Sequence, residues 1–160
     1  GNSVANAGLV ALSAALAANE TMQSVTLVKN QIGDIGVEAL THHWSEGERG
    51  SLYSLTALDL SENDITLLGS QKLFVAIEKY APNLTSLFLS SNRIVQRGID
   101  RIAQLLPSCP ACLQSLCLET QRPPHEMSHV NQHQLLVKND ILSDDTCITE
   151  QEAKVLALAE

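Results

Sequence analysis

The sequence predicts an α/β fold: a solenoid in which a short strand and a helix alternate along most of the chain. A pattern centred on an asparagine recurs at nearly constant spacing, and each copy joins residues of strand periodicity to residues of helical periodicity. One strand and one helix cannot bury their apolar faces alone, so neighbouring units must stack in parallel. At 160 residues, 44% of them hydrophobic, the chain is long enough for one such domain.

The strand of each unit is predicted by two apolar residues with one more polar residue between them. A further apolar residue stands three places before the first of the two. Alternation places both apolar side chains on one face of a strand. The four sets are Met22, Val25 and Leu27; Leu55, Leu58 and Leu60; Leu84, Leu87 and Leu89; and Leu113, Leu116 and Leu118. Their first members stand 33, 29 and 29 residues apart, so the register is kept throughout.

The turn and helix of each unit follow a marker asparagine. An aliphatic residue comes two places after each marker and a glycine six places after it, for Asn2, Asn30, Asn63 and Asn92. The glycines indicate close approach of neighbouring atoms or a positive φ where the helix begins. Apolar residues at helical spacing then predict a helix, as in Leu9, Leu12 and Leu16 of the first copy.

The full pattern, L-x-x-L-x-L-x-x-N-x-I with its glycine, resembles the leucine-rich repeat, and its length is similar to that of the ribonuclease-inhibitor-like type. The resemblance implies about four repeats over residues 1–122, with short parallel strands on a concave face and helices on the convex face. It also implies that Asn30, Asn63 and Asn92 form a ladder of bonds to backbone groups. The strand expected before Asn2 is missing, which predicts that these residues belong to a larger chain or complex.

Residues 123–160 are predicted to be an irregular tail or a C-terminal cap. The "LVKNDI" at 136–141 nearly repeats the "LVKNQI" at 27–32, but only 18 residues separate Gln121 from Asn139, too few for a repeat. It is interpreted either as a degenerate edge strand or as a loop. Thr149 and Glu152 have the spacing of a capping box, which predicts a final helix.

Composition narrows the class of partner. The net charge of −8 disfavours nucleic acid, and no apolar run is long enough to span a membrane. The four cysteines crowd the second half of the chain instead of spreading as a disulfide framework would, which favours a reducing, cytoplasmic compartment. No cofactor-binding motif such as a phosphate-binding glycine loop is present.

Two motifs offer alternatives that involve metal. "HEMSH" at 125–129 matches the H-E-x-x-H pattern of a metallohydrolase, and Cys109, Cys112, His125 and His129 have zinc-finger spacing. Prolines directly before His125 disfavour the helix that a metallohydrolase site requires. The zinc-finger alternative is disfavoured because the leucines after Cys112 already belong to the fourth predicted strand. Regulation of a small GTPase is a further alternative, which rests on family analogy only.

The preferred function is a non-enzymatic protein-protein interaction module, or scaffold, that binds through the concave face. Phe88 is the expected anchor, because a large ring on a strand position opposite the core is typical of an interface. Acidic neighbours favour a protein partner with basic groups. The predicted partner-binding residues are Thr26, Asp59, Glu62, Phe88, Ser90, Cys117 and Glu119.

Overall fold

The computed structural model describes residues 3–46, 52–105, 113–119, 121–122 and 148–149. Within these ranges, four helices alternate with four strands, and a fifth short strand follows. The helices are α1 (Ala5–Ala17), α2 (Asp34–Glu46), α3 (Leu67–Tyr80) and α4 (Gln96–Leu105). The strands are β1 (Ser24–Thr26), β2 (Ala57–Asp59), β3 (Ser86–Phe88), β4 (Ser115–Cys117) and β5 (Ile148–Thr149).

The five strands form one sheet in the order β1-β2-β3-β4-β5. The first four are parallel, and their middle residues pair as Val25 with Leu58, Leu58 with Leu87, and Leu87 with Leu116. These are the residues that the repeat pattern aligns, so the predicted α/β leucine-rich-repeat solenoid is confirmed. The sequence did not predict β5, which pairs antiparallel with β4.

The core lies between the sheet and the helices. Each helix packs against the next, α1 on α2, α2 on α3 and α3 on α4. The strand leucines of β2 and β3 are fully buried against the helices, together with Leu40, Leu73 and Ile102. The first copy differs, because the predicted core residue Leu12 of α1 is exposed.

Asn63 shows how consecutive repeats are joined beyond the strands. Its side-chain oxygen accepts bonds from the N–H groups of Asn30 (3.1 Å) and Ile32 (2.9 Å) in the preceding turn. Its amide nitrogen donates to the carbonyls of Leu27 (2.8 Å) and Leu60 (2.9 Å), one in each strand segment. The side chain is completely buried, so these bonds replace water that the backbone groups cannot reach.

The same arrangement recurs along the stack. Asn92 accepts from the Ile65 N–H (3.1 Å), and Asn30 accepts from the Val4 N–H (3.2 Å). At the marker position that follows β4, Gln121 accepts from the Ile94 N–H (3.0 Å) and donates to carbonyls on both adjacent strand segments. The turn after β4 therefore keeps the bonding pattern although its sequence departs from asparagine.

A second set of side chains joins the helix starts. The Asn6 side-chain oxygen accepts from the N–H groups of Gly33 (2.8 Å) and Gly36 (3.0 Å) in the next repeat. One repeat later, the Asp34 carboxylate accepts from the Thr66 N–H (2.8 Å) and hydroxyl (2.6 Å). Because the first N–H groups of a helix have no partner within it, each repeat supplies acceptors for its neighbour.

The glycines at the helix starts are explained by close approach. A Cβ added to Gly69 would lie 2.3 Å from the Asp34 carboxylate oxygen, and one added to Gly36 would lie 2.8 Å from the Asn6 oxygen. Neither glycine has a positive φ. Positive φ values occur directly before three markers, at Lys29, Glu62 and Ser91, and also at Ser3, Ala5 and Gln31.

Candidate functional site: the strand face

The strand face comprises the side chains of β1 to β4, and of the turns after them, that alternate with the core leucines. Its central row is in register across four strands: Thr26 pairs with Asp59, Asp59 with Phe88, and Phe88 with Cys117. Neighbouring strands lie about 4.8 Å apart, so this row extends over roughly 14 Å. The structure thus brings the central four of the predicted partner-binding residues together.

Exposure falls along this row from β1 to β4. Thr26 is exposed, Asp59 and Phe88 are half-buried, and Cys117 is only 5% exposed. Cys117 is also disulfide-bonded, so it closes one end of the row and offers little side-chain surface to a partner.

Phe88 lies between Asp59 on one neighbouring strand and the buried Cys117 on the other. The Asp59 carboxylate beside it accepts the Ser61 N–H at 3.0 Å, which holds the carboxylate over the turn that leaves β2. On the other side stands the buried Cys117. The half-buried ring is therefore partly accessible, beside the Asp59 carboxylate.

The remaining predicted residues lie at the edge where the strands end. Glu62 is exposed and forms an ion pair with Lys29 at 3.9 Å, whereas Ser90 and Glu119 are half-buried. The backbone carbonyls of Ser90 and Glu119 accept from the N–H groups of Glu62 and Ser91, both at 2.8 Å. The backbone of this edge is thus bonded from repeat to repeat, and its side chains point away from the core.

The backbone conformation at this edge could not be predicted from the residue types. Lys29, Glu62 and Ser91 have φ values of 59°, 54° and 56°, a region that residues with a side chain seldom adopt. No glycine or asparagine stands at any of the three positions, which would have been the usual signal. The three residues form a row of left-handed turns along the edge of the strand face.

The metal-site alternative concerns residues that the structure does not describe. Cys109, Cys112, His125, Glu126 and His129 lie outside the described residues, as do the second "LVKN" and the predicted final helix. Within the described ranges, no three histidine, cysteine or acidic side chains are grouped so that they could hold a metal ion. A search for membrane spans over the same ranges finds no helix of the necessary length and apolarity.

Comparisons with known proteins agree with this geometry. A family model described as "Leucine Rich repeat" matches residues 18–40 and 54–74, which hold β1, β2 and the first halves of α2 and α3. No curated protein matches the sequence.

Several solved structures resemble the chain. The structure titled "Leiomodin-1 Actin-Binding Site 2 (ABS2)" has a TM-score of 0.58 at 21% identity, over 94% of this chain and 78% of the other. A tropomodulin C-terminal domain from Caenorhabditis elegans has a TM-score of 0.49 at 15% identity, over 82% of this chain and 71% of the other. At this level of identity the leiomodin-1 structure shows a shared fold and no more.

Proposed function

Because this chain is a leucine-rich-repeat protein, we propose that it is a non-enzymatic protein-binding module whose partner docks on the strand face. The observation that supports this most is the in-register row of Thr26, Asp59 and Phe88. A ladder of backbone and asparagine hydrogen bonds holds the strands that carry this row. Binding a partner would therefore cost little conformational entropy on this side of the interface. Phe88 is the anchor of the proposed site.

Charge on the strand face favours a partner with basic groups. Asp59 and Glu119 on the row and its edge meet no lysine or arginine within ion-pair distance among the described residues, whereas Glu62 is paired with Lys29. A positively charged side chain of the partner would gain from Asp59 while an apolar group covers Phe88. We therefore expect binding to weaken as salt rises, because exposed charges are screened.

A substitution at Phe88 tests the site. Phe88→Asp removes the ring and sets a second carboxylate beside Asp59 on the strand face, outside the core, so we expect loss of the partner with the fold retained. Tyr53→Asp is the matched control, because Tyr53 is an exposed ring in the turn before β2 and off the strand face. Proteins captured by the native chain and by Tyr53→Asp, but lost with Phe88→Asp, are the expected result. Equal capture by both variants would reject the strand face as the site.

Actin provides a defined first probe, because the leiomodin-1 fragment with the same fold is titled an actin-binding site. Cosedimentation with filaments, and a shift in sedimentation with monomers, would measure binding directly. Binding that Phe88→Asp abolishes would identify actin as a partner of the strand face. Absence of binding would exclude actin and leave the capture experiment to find the partner.

A further inference from the structure

A second surface lies on the opposite side of the molecule, where α2 and α3 pack side by side. A groove of about 850 Å³ runs between these helices, with Val10 of α1 at one side. Three of the six large apolar side chains that are exposed in the described structure line it: Val10, Ile35 and Val75, at 45%, 66% and 54% exposure. Half of the exposed apolar residues are therefore gathered in one groove, which marks it as a surface for another molecule.

The groove is built by two matching helical stripes. On α2 the lining includes Ile35, Glu38 and His42, at intervals of three and four residues; on α3 it includes Lys72, Val75 and Lys79 at the same intervals. Residues so spaced lie on one face of a helix. The 14 residues of α3 correspond to about 21 Å, so the groove suits a helix of about four turns.

The charges at the groove differ from those of the whole chain. The protein carries 18 acidic residues and 10 basic ones, yet the groove has Lys72 and Lys79 against Glu38 alone. Lys72 is paired with Glu38 at 2.6 Å. Lys79 lies 5.0 Å from the centre of the Tyr80 ring, and no described carboxylate is within ion-pair distance of it. The end of the groove near Lys79 thus presents positive charge beside apolar surface.

We propose that this groove binds an amphipathic helix of a partner protein, with an apolar stripe and acidic residues near its N-terminus. The stripe would cover Ile35 and Val75, and the acidic residues would meet Lys79. Acidic residues also favour the first turn of a helix, so the partner helix would begin near Lys79 and run antiparallel to α3. The net charge of −8 disfavours a second copy of this chain as the occupant.

Synthetic helical peptides test the proposal. Three peptides share one leucine stripe and differ only in carrying Glu, Gln or Lys beside it near the N-terminus. Binding to the full chain is followed by fluorescence anisotropy, and the site is mapped from amide chemical shifts of α2 and α3. The Glu peptide should bind tightest and the Lys peptide weakest. Equal binding of all three, or no binding of any, would overturn the proposal.

Variants of the protein locate the peptide. Val75→Ser should weaken binding of the Glu peptide about tenfold, because it removes apolar contact from the groove floor. Leu68→Ser is the matched control, since Leu68 is 62% exposed on the same helix but does not line the groove. Lys79→Glu should invert the preference between the Glu and Lys peptides. A loss with Leu68→Ser equal to that with Val75→Ser would count against the groove.

Two further measurements distinguish binding in the groove from binding at the strand face and from dimer formation. Phe88→Asp should leave peptide binding unchanged, so the groove and the strand face can fail independently. Sedimentation of the free protein should show a monomer. A dimer that Val75→Ser dissociates would show that a second copy fills the groove, and would overturn the proposal.

Discussion

Replacing Asn63 with alanine should lower the free energy of unfolding by about 3 kcal/mol, because two buried N–H groups lose their acceptor. These are the N–H groups of Asn30 and Ile32, which the Asn63 oxygen accepts at 3.1 and 2.9 Å. Each buried donor left without a partner costs roughly 1–3 kcal/mol, and water that enters the vacated space recovers part of the loss. With a total stability of about 5–15 kcal/mol for a domain, the loss is large enough to measure.

A second substitution separates the two halves of the amide. Asn63→Asp keeps an acceptor for Asn30 and Ile32, but it sets a carboxylate oxygen against the carbonyls of Leu27, Leu60 and Ser61. We expect it to destabilise the fold at neutral pH at least as much as alanine does. The difference from the native chain should shrink on acidification, because a protonated carboxyl regains one donor.

Urea unfolding measures both effects. Far-UV circular dichroism follows the whole chain, and fluorescence of Trp44, the single tryptophan and a buried residue of α2, follows the centre of the stack. Coincident transitions would justify two-state free energies. Asn83→Ala is the control, because the Asn83 side chain makes one bond, to the Tyr53 carbonyl at 2.7 Å, outside the ladder. A loss for Asn63→Ala no larger than the control's, about 1 kcal/mol, would refute the reasoning.

Three other predictions concern the turns and the cysteines. Ser91→Gly should stabilise the fold by up to about 1 kcal/mol by relieving its positive φ, whereas Ser90→Gly, without that relief, should destabilise it by roughly 0.5–1 kcal/mol in the same urea assay. Gly69→Ala should cost about 1–3 kcal/mol by displacing Asp34, while Gly33→Ala, whose added Cβ would lie 3.6 Å from its nearest neighbours, should be neutral; equal effects would contradict the close-approach argument. Alkylation in denaturant without reductant should add at most two labels to the intact mass, because a disulfide at Cys117 occupies two of the four cysteines; four labels would show that this disulfide is absent.

Residues that face the core were predictable from the sequence, because burial imposes a period on the order of apolar and polar residues. Leu58 and Leu87 were placed on adjacent strands by the repeat register, and the pairing of Asp59 with Phe88 followed from it. The outward row of the strand face could be predicted for the same reason, since it alternates with the leucines. How far each residue on that row is exposed could not, as the burial of Cys117 shows.

Features that depend on chemistry between repeats were harder to predict. Gln121 makes the same hydrogen bonds as a marker asparagine. A sequence pattern that requires asparagine at this position nevertheless ends before it. Asn6 and Asp34 act on helix starts about 30 residues away, beyond any local capping motif. The groove between α2 and α3 depends on which side chains of the two helices remain exposed. The periodicity of apolar residues predicts only the helix face that packs against the core.

The left-handed turns at Lys29, Glu62 and Ser91 connect the ladder to the proposed strand-face site. A side chain in this conformation costs roughly 1–2 kcal/mol relative to glycine, and three repeats bear that cost at the same place. An observed outlier of this kind motivates a functional hypothesis: these side chains contribute to binding at the edge of the strand face. Ser91→Gly would then raise stability and weaken partner binding together, whereas Asn63→Ala would lower both. Unchanged partner binding by Ser91→Gly would leave the turns as a consequence of the ladder geometry alone.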